Sequence, residues 1–139
     1  MNTFHGTVNS FSRVLTSYFD KKLDRFNLAT SYIELMILLR ENESVSQKEI
    51  SELLSLAPST ITRFVDKLKK EGYLTKKRDG RNMTIELTDK GQKVSSDMEK
   101  EYQAVVDEIQ ELMGEKYLET VGKLLDYGSS ELEKVAADS

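Results

Sequence analysis

The chain has 139 residues, 20 lysines and arginines against 24 acidic side chains, and a net charge of −4. That is long enough for one compact domain or a small lobe with a helical appendage, and the total charge taken alone argues against a polyanionic partner. The absence of cysteine excludes disulfides and thiolate chemistry, and one histidine, His5, makes a zinc site a poor expectation and completes no Ser/His/Asp set. No run of about 20 apolar residues is present to span a bilayer, nor a basic segment leading into an apolar core, so a cytoplasmic protein with no membrane partner, metal or cofactor is expected.

The first five residues look loose, and a lone terminal histidine such as His5 is more often exposed or locally bonded than a ligand. Over residues 7–25, Val8, Phe11, Leu15, Tyr18, Phe19 and Leu23 recur at the three- and four-residue spacing of an amphipathic helix. Residues 26–29 break the pattern, and Thr30 or Ser31 is placed to cap the next helix. That helix, residues 31–41, carries Ile33, Leu35, Met36, Ile37, Leu38 and Leu39. This exceeds what one surface-helix face needs, so it is predicted to be the central core helix of a lobe. Residues 42–45 read as a polar connection.

Ser46 and Glu49 form an S-x-x-E capping box for a short helix bearing Ile50, Leu53 and Leu54. Ser55 and Leu56 leave only a tight turn before Pro58, which suits a first helical position because its missing N–H would be an orphan there. Gly72 stands where a positive φ closes the helix, while Ala57 offers a weaker cap than Ser or Thr. In this second helix Ile61, Phe64, Val65 and Leu68 share one face. The opposite face carries Ser59, Thr62, Arg63, Asp66, Lys67 and Lys70. Short hydrogen-bonding groups followed by cations suit a major groove, although alone they also describe an ordinary solvated face.

Next, residues 73–75 and 83–87 alternate apolar and polar around a tip of Lys76, Lys77, Arg78, Asp79, Gly80 and Arg81. With Asp-Gly as the turn signal, this reads as a two-stranded hairpin with a basic point. Thr88 can cap a long helix to about residue 113, with Asp89 in its first turn. Its apolar stripe (Val94, Met98, Tyr102, Val105, Val106, Ile109, Leu112, Met113) is narrow. Gly114 interrupts, and residues 115–135 form a last helix with Tyr117, Leu118, Val121, Leu124, Leu125, Leu132 and Val135. Two thin stripes beyond a compact lobe point to packing against another chain, the alternative being a helical hairpin folded back on the lobe. Glu99 with Glu101 and Glu131 with Glu133 are two apart, face different ways, and are expected to be solvated.

Charge is unevenly spread: residues 1–45 are neutral, residues 46–91 hold ten basic and seven acidic side chains, and residues 92–139 hold five and twelve, a net of −7. Such asymmetry orients a molecule on a polyanion. No phosphate-binding glycine loop, H-E-x-x-H or catalytic constellation occurs, so no enzyme is expected.

The run S-T-I-T-R-F-V-D-K-L-K-K-E-G-Y-L (residues 59–74), then D-G-R (79–81) and I-E-L-T-D-K-G (85–91), closely resembles the MarR family of winged-helix transcription regulators. The family pattern has a few more residues before the wing aspartate, so a shorter wing is expected. The resemblance implies a mainly α fold with a small β-hairpin wing. A winged helix-turn-helix lobe would span residues 30–91, with a helical dimerisation region from residues 1–29 and 92–139. It implies a homodimeric regulator, a repressor by expectation, binding a double-stranded DNA operator as an inverted repeat. Major-groove contacts fall to Ser59, Thr60, Thr62 and Arg63, phosphate contacts to Lys67, Lys70, Lys76, Lys77 and Arg78, and a minor-groove contact to Arg81 held by Asp79. A small-molecule effector near Arg13, Tyr18 or Met36 is also implied, whereas thiol-based sensing is excluded by composition. The alternative is a winged-helix protein-interaction module without DNA binding.

Overall fold

The computed structural model describes residues 3–138, with the side chain of Asp79 outside that description. The chain divides into two compact units, Met1–Tyr102 and Gln103–Ser139. Helices α1 (Phe4–Lys22), α2 (Thr30–Glu41), α3 (Gln47–Leu54) and α4 (Pro58–Lys70) precede strands β2 (Leu74–Asp79) and β3 (Asn82–Leu87), with a short β1 (Val45–Ser46) between α2 and α3. Helix α5 (Asp89–Met113) starts in the first unit and ends in the second, which also holds α6 (Glu115–Ala137).

Helix α1 starts earlier than the apolar spacing implied, because Thr3 caps it by accepting from the Gly6 N–H at 3.0 Å. Residues expected to be loose are therefore helical from Phe4, and the first two lie outside the described residues. The helix stops at Lys22. A single 3-10 turn, Asp24–Phe26, follows and is closed by Asn27 in the left-handed region at φ 55°. Neither Thr30 nor Ser31 caps α2. Its N-cap is Ala29, and Asp20 of α1 takes over, accepting from the Thr30 N–H at 2.9 Å and the Thr30 hydroxyl at 2.5 Å. A carboxylate there satisfies an orphan donor and meets the positive end of the helix dipole.

The core lies where α2 meets α3, α4 and the sheet: Ile33, Leu35, Met36, Ile50, Ile61, Val65, Leu68 and Ile85 are fully enclosed. Tyr32 of α2 stacks on Phe64 of α4 with ring centroids 3.9 Å apart. The capping box forms at Ser46 and Glu49, and Ser55, at φ 54°, reverses the chain between the two helices. Pro58 opens α4. At the far end Gly72 takes φ 80°, with Tyr73 N–H bonded to Leu68 O and Gly72 N–H to Lys69 O, both at 3.0 Å. That pairing is a Schellman closure.

Strands β2 and β3 form the expected hairpin, and β1 adds a third antiparallel strand in the order β1-β3-β2. Val45 pairs with Ile85 and Ser46 with Thr84, so the connection expected at residues 42–45 ends in a strand. The basic tip is also mostly strand. Pairing runs from Leu74↔Leu87 to Asp79↔Asn82, leaving only Gly80 and Arg81 in the turn. Gly80 has φ 65°, the glycine position of a II′ hairpin turn.

Thr88 joins the wing to α5. Its hydroxyl accepts from the Gly91 N–H at 3.0 Å and donates to Gly72 O at 2.6 Å, and its N–H donates to Tyr73 O at 3.0 Å. Further along the first unit, Tyr102 donates to Glu34 at 2.8 Å and Arg40 pairs with Glu99 at 3.0 Å. Arg25 pairs with Glu101 and, at 4.0 Å, with Asp97. Glu99 and Glu101, expected to be merely solvated, thus hold two arginines that the 3-10 turn and α2 bring alongside.

In the second unit, Gly114 takes φ 93° between α5 and α6. No described residue of α6 is buried, and Leu124, Tyr127 and Leu132 are 63, 65 and 73% exposed. Glu131 pairs with Lys134 at 3.4 Å.

Candidate nucleic-acid interface

Burying Ile61, Phe64, Val65 and Leu68 forces the other side of α4 outward. Ser59, Thr62, Arg63, Asp66, Lys67 and Lys70 together line one open depression on that side. Thr60 is half-buried and does not line it. Two of its cations lie near aromatic rings: Lys67 Nζ is 5.1 Å from the Tyr32 ring centroid and the Arg63 guanidinium is 5.9 Å from that of Phe64. Both residues remain exposed, so each ring attracts its cation without withdrawing it from solvent.

The pleat divides the wing's cations between two faces. Leu74 and Ile85 are buried, so Lys76, paired with Ile85, lies on the core side of the sheet. From there it reaches Asp66 of α4 at 3.6 Å, tying the hairpin to the outward side of α4. Arg78, two residues on, shares that side and is exposed. Lys77 faces the other way and pairs with Glu86 at 2.8 Å; that hydrogen bond, then the carboxylate's charge, raises its ammonium above the usual lysine range. Arg81 is exposed at the turn. Asp79 belongs to β2, but its side chain lies outside the described residues.

Among the described residues, Arg63, Lys67, Lys70, Arg78 and Arg81 form no ion pair, whereas Lys76 and Lys77 do. These seven cations make a surface suited to a polyanion, and the short polar side chains between them can take hydrogen bonds from base edges. Sequence reading missed Gln47. Its Nε2 donates to the Thr62 hydroxyl at 3.1 Å, bringing the first turn of α3 to the edge of the depression. Only contact across 15 residues places it there; no local pattern marks it.

Of the residues named for an effector, Met36 is fully enclosed in the core and cannot touch a ligand without opening it. Tyr18 is half-buried. Arg13 lines an open groove along α1 with Thr16, Ser17, Asp20, Lys21 and Asp24. Among the described residues no helix is long and apolar enough to cross a membrane, and no cluster of metal-binding side chains occurs.

Comparison with known proteins places these features in a wider group. A family model described as "MarR family" matches residues 30–82. An uncharacterized HTH-type transcriptional regulator of Bacillus cereus is 33% identical over 70 residues, covering 50% of this chain and 48% of that protein. The chain thus spans about half the length of that curated relative. Among solved structures, the repressor CouR bound to a 23-mer DNA duplex superposes with a TM-score of 0.83 at 19% identity, covering 91% of this chain and 92% of that one. NadR in complex with 4-hydroxyphenylacetate gives 0.79 at 17% identity, covering 96% and 99%. At such identities the likeness is one of fold.

Proposed function

We propose, from the match of residues 30–82 to the MarR family model, that the chain is a winged-helix regulator of that family and works as a homodimeric, sequence-specific repressor reading an inverted-repeat operator. The observation that carries this reading is the convergence of Ser59, Thr62, Arg63, Asp66, Lys67 and Lys70 on one open side of α4. In use, α4 enters the major groove with Ser59, Thr62 and Arg63 toward base edges. Lys67, Lys70 and Arg78 meet phosphates, and Arg81 at the wing turn enters the minor groove. Lys76 and Lys77 join them by exchanging Asp66 and Glu86 for phosphate oxygens.

The lobe of residues 30–91 reads DNA, and the helices of residues 1–29 and 92–139 pair two copies. Exposed apolar side chains support that pairing: Phe4 and Val14 on α1, and Leu124, Tyr127 and Leu132 on α6. A two-fold dimer sets half-sites about one helical turn, roughly 10 base pairs, apart. The net of −7 in residues 92–139 keeps that end turned away from the duplex. A small-molecule effector is proposed as a further partner, because a relative of the same fold is recorded with 4-hydroxyphenylacetate.

The test is protection of a promoter. Purified protein should shield an inverted repeat in the promoter region beside its own coding sequence. It should lose that shielding when Arg63 and Lys67 are both replaced by alanine. Absence of any protected repeat, with random duplex also unbound at low salt, would instead favour a protein-interaction module.

A further inference from the structure

Thr62 stands on the outward side of α4 with its hydroxyl already engaged twice. Its Oγ1 lies 3.1 Å from the Pro58 carbonyl oxygen and 3.1 Å from Gln47 Nε2. A hydroxyl has one proton and two lone pairs. The carbonyl can only accept, so the proton goes to Pro58, and one lone pair receives the Gln47 N–H. A reversed Gln47 amide would set two oxygens competing for the single proton. What Thr62 has left is one lone pair, which makes it an acceptor and nothing else.

Its neighbours sharpen the contrast. Asp66, one turn on, is also acceptor-only and holds Lys76 at 3.6 Å. Arg63, Lys67 and Lys70, in the adjoining row, can only donate. Ser59 makes no side-chain hydrogen bond among the described residues and can turn its hydroxyl either way. The reading face is therefore divided lengthwise into an accepting row and a donating row.

We infer that Thr62, held in place by Gln47, selects a base offering an exocyclic amino group, cytosine N4 or adenine N6, and rejects guanine or thymine on the strand it faces. In the major groove those two bases present a donor where guanine O6 and thymine O4 present acceptors. An acceptor facing an acceptor leaves both unsatisfied in a desolvated groove. Gln47 is a positioning residue: half-buried at the start of α3, it fixes the role of Thr62 without reading a base. The inference rests on the proposal that α4 enters the groove, and adds what the helix selects there.

The experiment is enrichment of bound duplexes from a randomised pool, using wild type, Thr62→Val, Thr62→Ser, Gln47→Leu and the Gln47→Leu/Thr62→Val pair. The wild type should enrich a motif in which one position per half-site is adenine or cytosine. Thr62→Val should flatten that position alone, with a loss of about tenfold in discrimination, while Thr62→Ser keeps it. Gln47→Leu should flatten the same position while affinity for random duplex stays within about twofold, and the double variant should be no flatter than Thr62→Val. A Thr62-dependent position that admits, on one and the same strand, both an amino-bearing base (adenine or cytosine) and a keto-bearing base (guanine or thymine) overturns the inference and leaves groove reading intact. So does a Thr62→Val motif identical to wild type, or a Gln47→Leu effect at some other position. If wild type enriches nothing and ignores random duplex, groove reading itself fails and the inference with it.

Discussion

Gly91→Ala sets two opposed effects against each other at the joint between wing and helix. In a helix interior, alanine is favoured over glycine by about 1 kcal/mol, so an unconstrained position would gain stability. At Gly91 an added Cβ would lie 1.9 Å from the Tyr73 carbonyl oxygen and 3.2 Å from Leu87 Cδ2. The carbonyl is not free to yield, because it accepts the Thr88 N–H at 3.0 Å, directly after the left-handed Gly72. Relief requires more than 1 Å of separation, which breaks that bond, worth about 0.5–1.5 kcal/mol, and adds overpacking of about 1–3 kcal/mol. Set against the helix gain, the net loss is about 2 kcal/mol. Urea denaturation followed by circular dichroism should show a clearly lowered midpoint for Gly91→Ala. Lys93→Ala, exposed in the same helix, should shift stability by under about 0.5 kcal/mol. A Gly91→Ala protein as stable as wild type would refute the close approach of α5 to the start of β2.

Asp66→Asn removes the carboxylate that holds Lys76, so affinity for random duplex at low salt should rise severalfold and the salt dependence should steepen by about one unit; fluorescence polarisation with labelled DNA checks both, and a fall in affinity would contradict the tether. Arg81→Ala should weaken operator binding while leaving the circular dichroism spectrum and dimer mass unchanged, and an unaltered operator affinity would remove Arg81 from the groove. Burial first, then the Glu34 charge and hydrogen bond, raise the Tyr102 phenol above its ordinary 10.0. The unfolded chain therefore ionises first, so stability from this group is complete below pH 10 and is lost as pH climbs beyond it. Tyr102→Phe should be less stable at neutral pH yet lose less than wild type between pH 9 and about 11.5, measured as urea midpoints; parallel losses would refute burial of that hydroxyl.

Much of this arrangement was legible because its determinants are local. Ser46 with Glu49, Pro58, Gly72 and Thr88 act within a few residues of themselves, and each does in the structure what its chemistry implies. The outward face of α4 followed from helical period alone, and its six side chains do meet in one depression. Non-local contacts were hidden. Strand β1 is two residues that become a strand only by pairing with Ile85 and Thr84, and Asp20 caps α2 from ten residues away. The hairpin tip misled for a different reason: a cluster of cations suggests a loop, yet Lys76, Lys77 and Arg78 continue the ladder with Ile85, Thr84 and Met83. Gln47 could not be found without the helix crossing that brings it to Thr62.

The central claim, that the outward side of α4 and the wing form a DNA-binding surface, is tested most directly by duplex affinity measured across salt concentrations. The five cations that form no ion pair among the described residues should release counterions so that log K falls against log[salt] with a slope of roughly −4 to −5 per protomer. Replacing Lys67, Lys70 and Arg78, three of the five, by alanine should remove about three fifths of that slope. A nearly flat plot, or one that the triple substitution leaves unchanged, would contradict it.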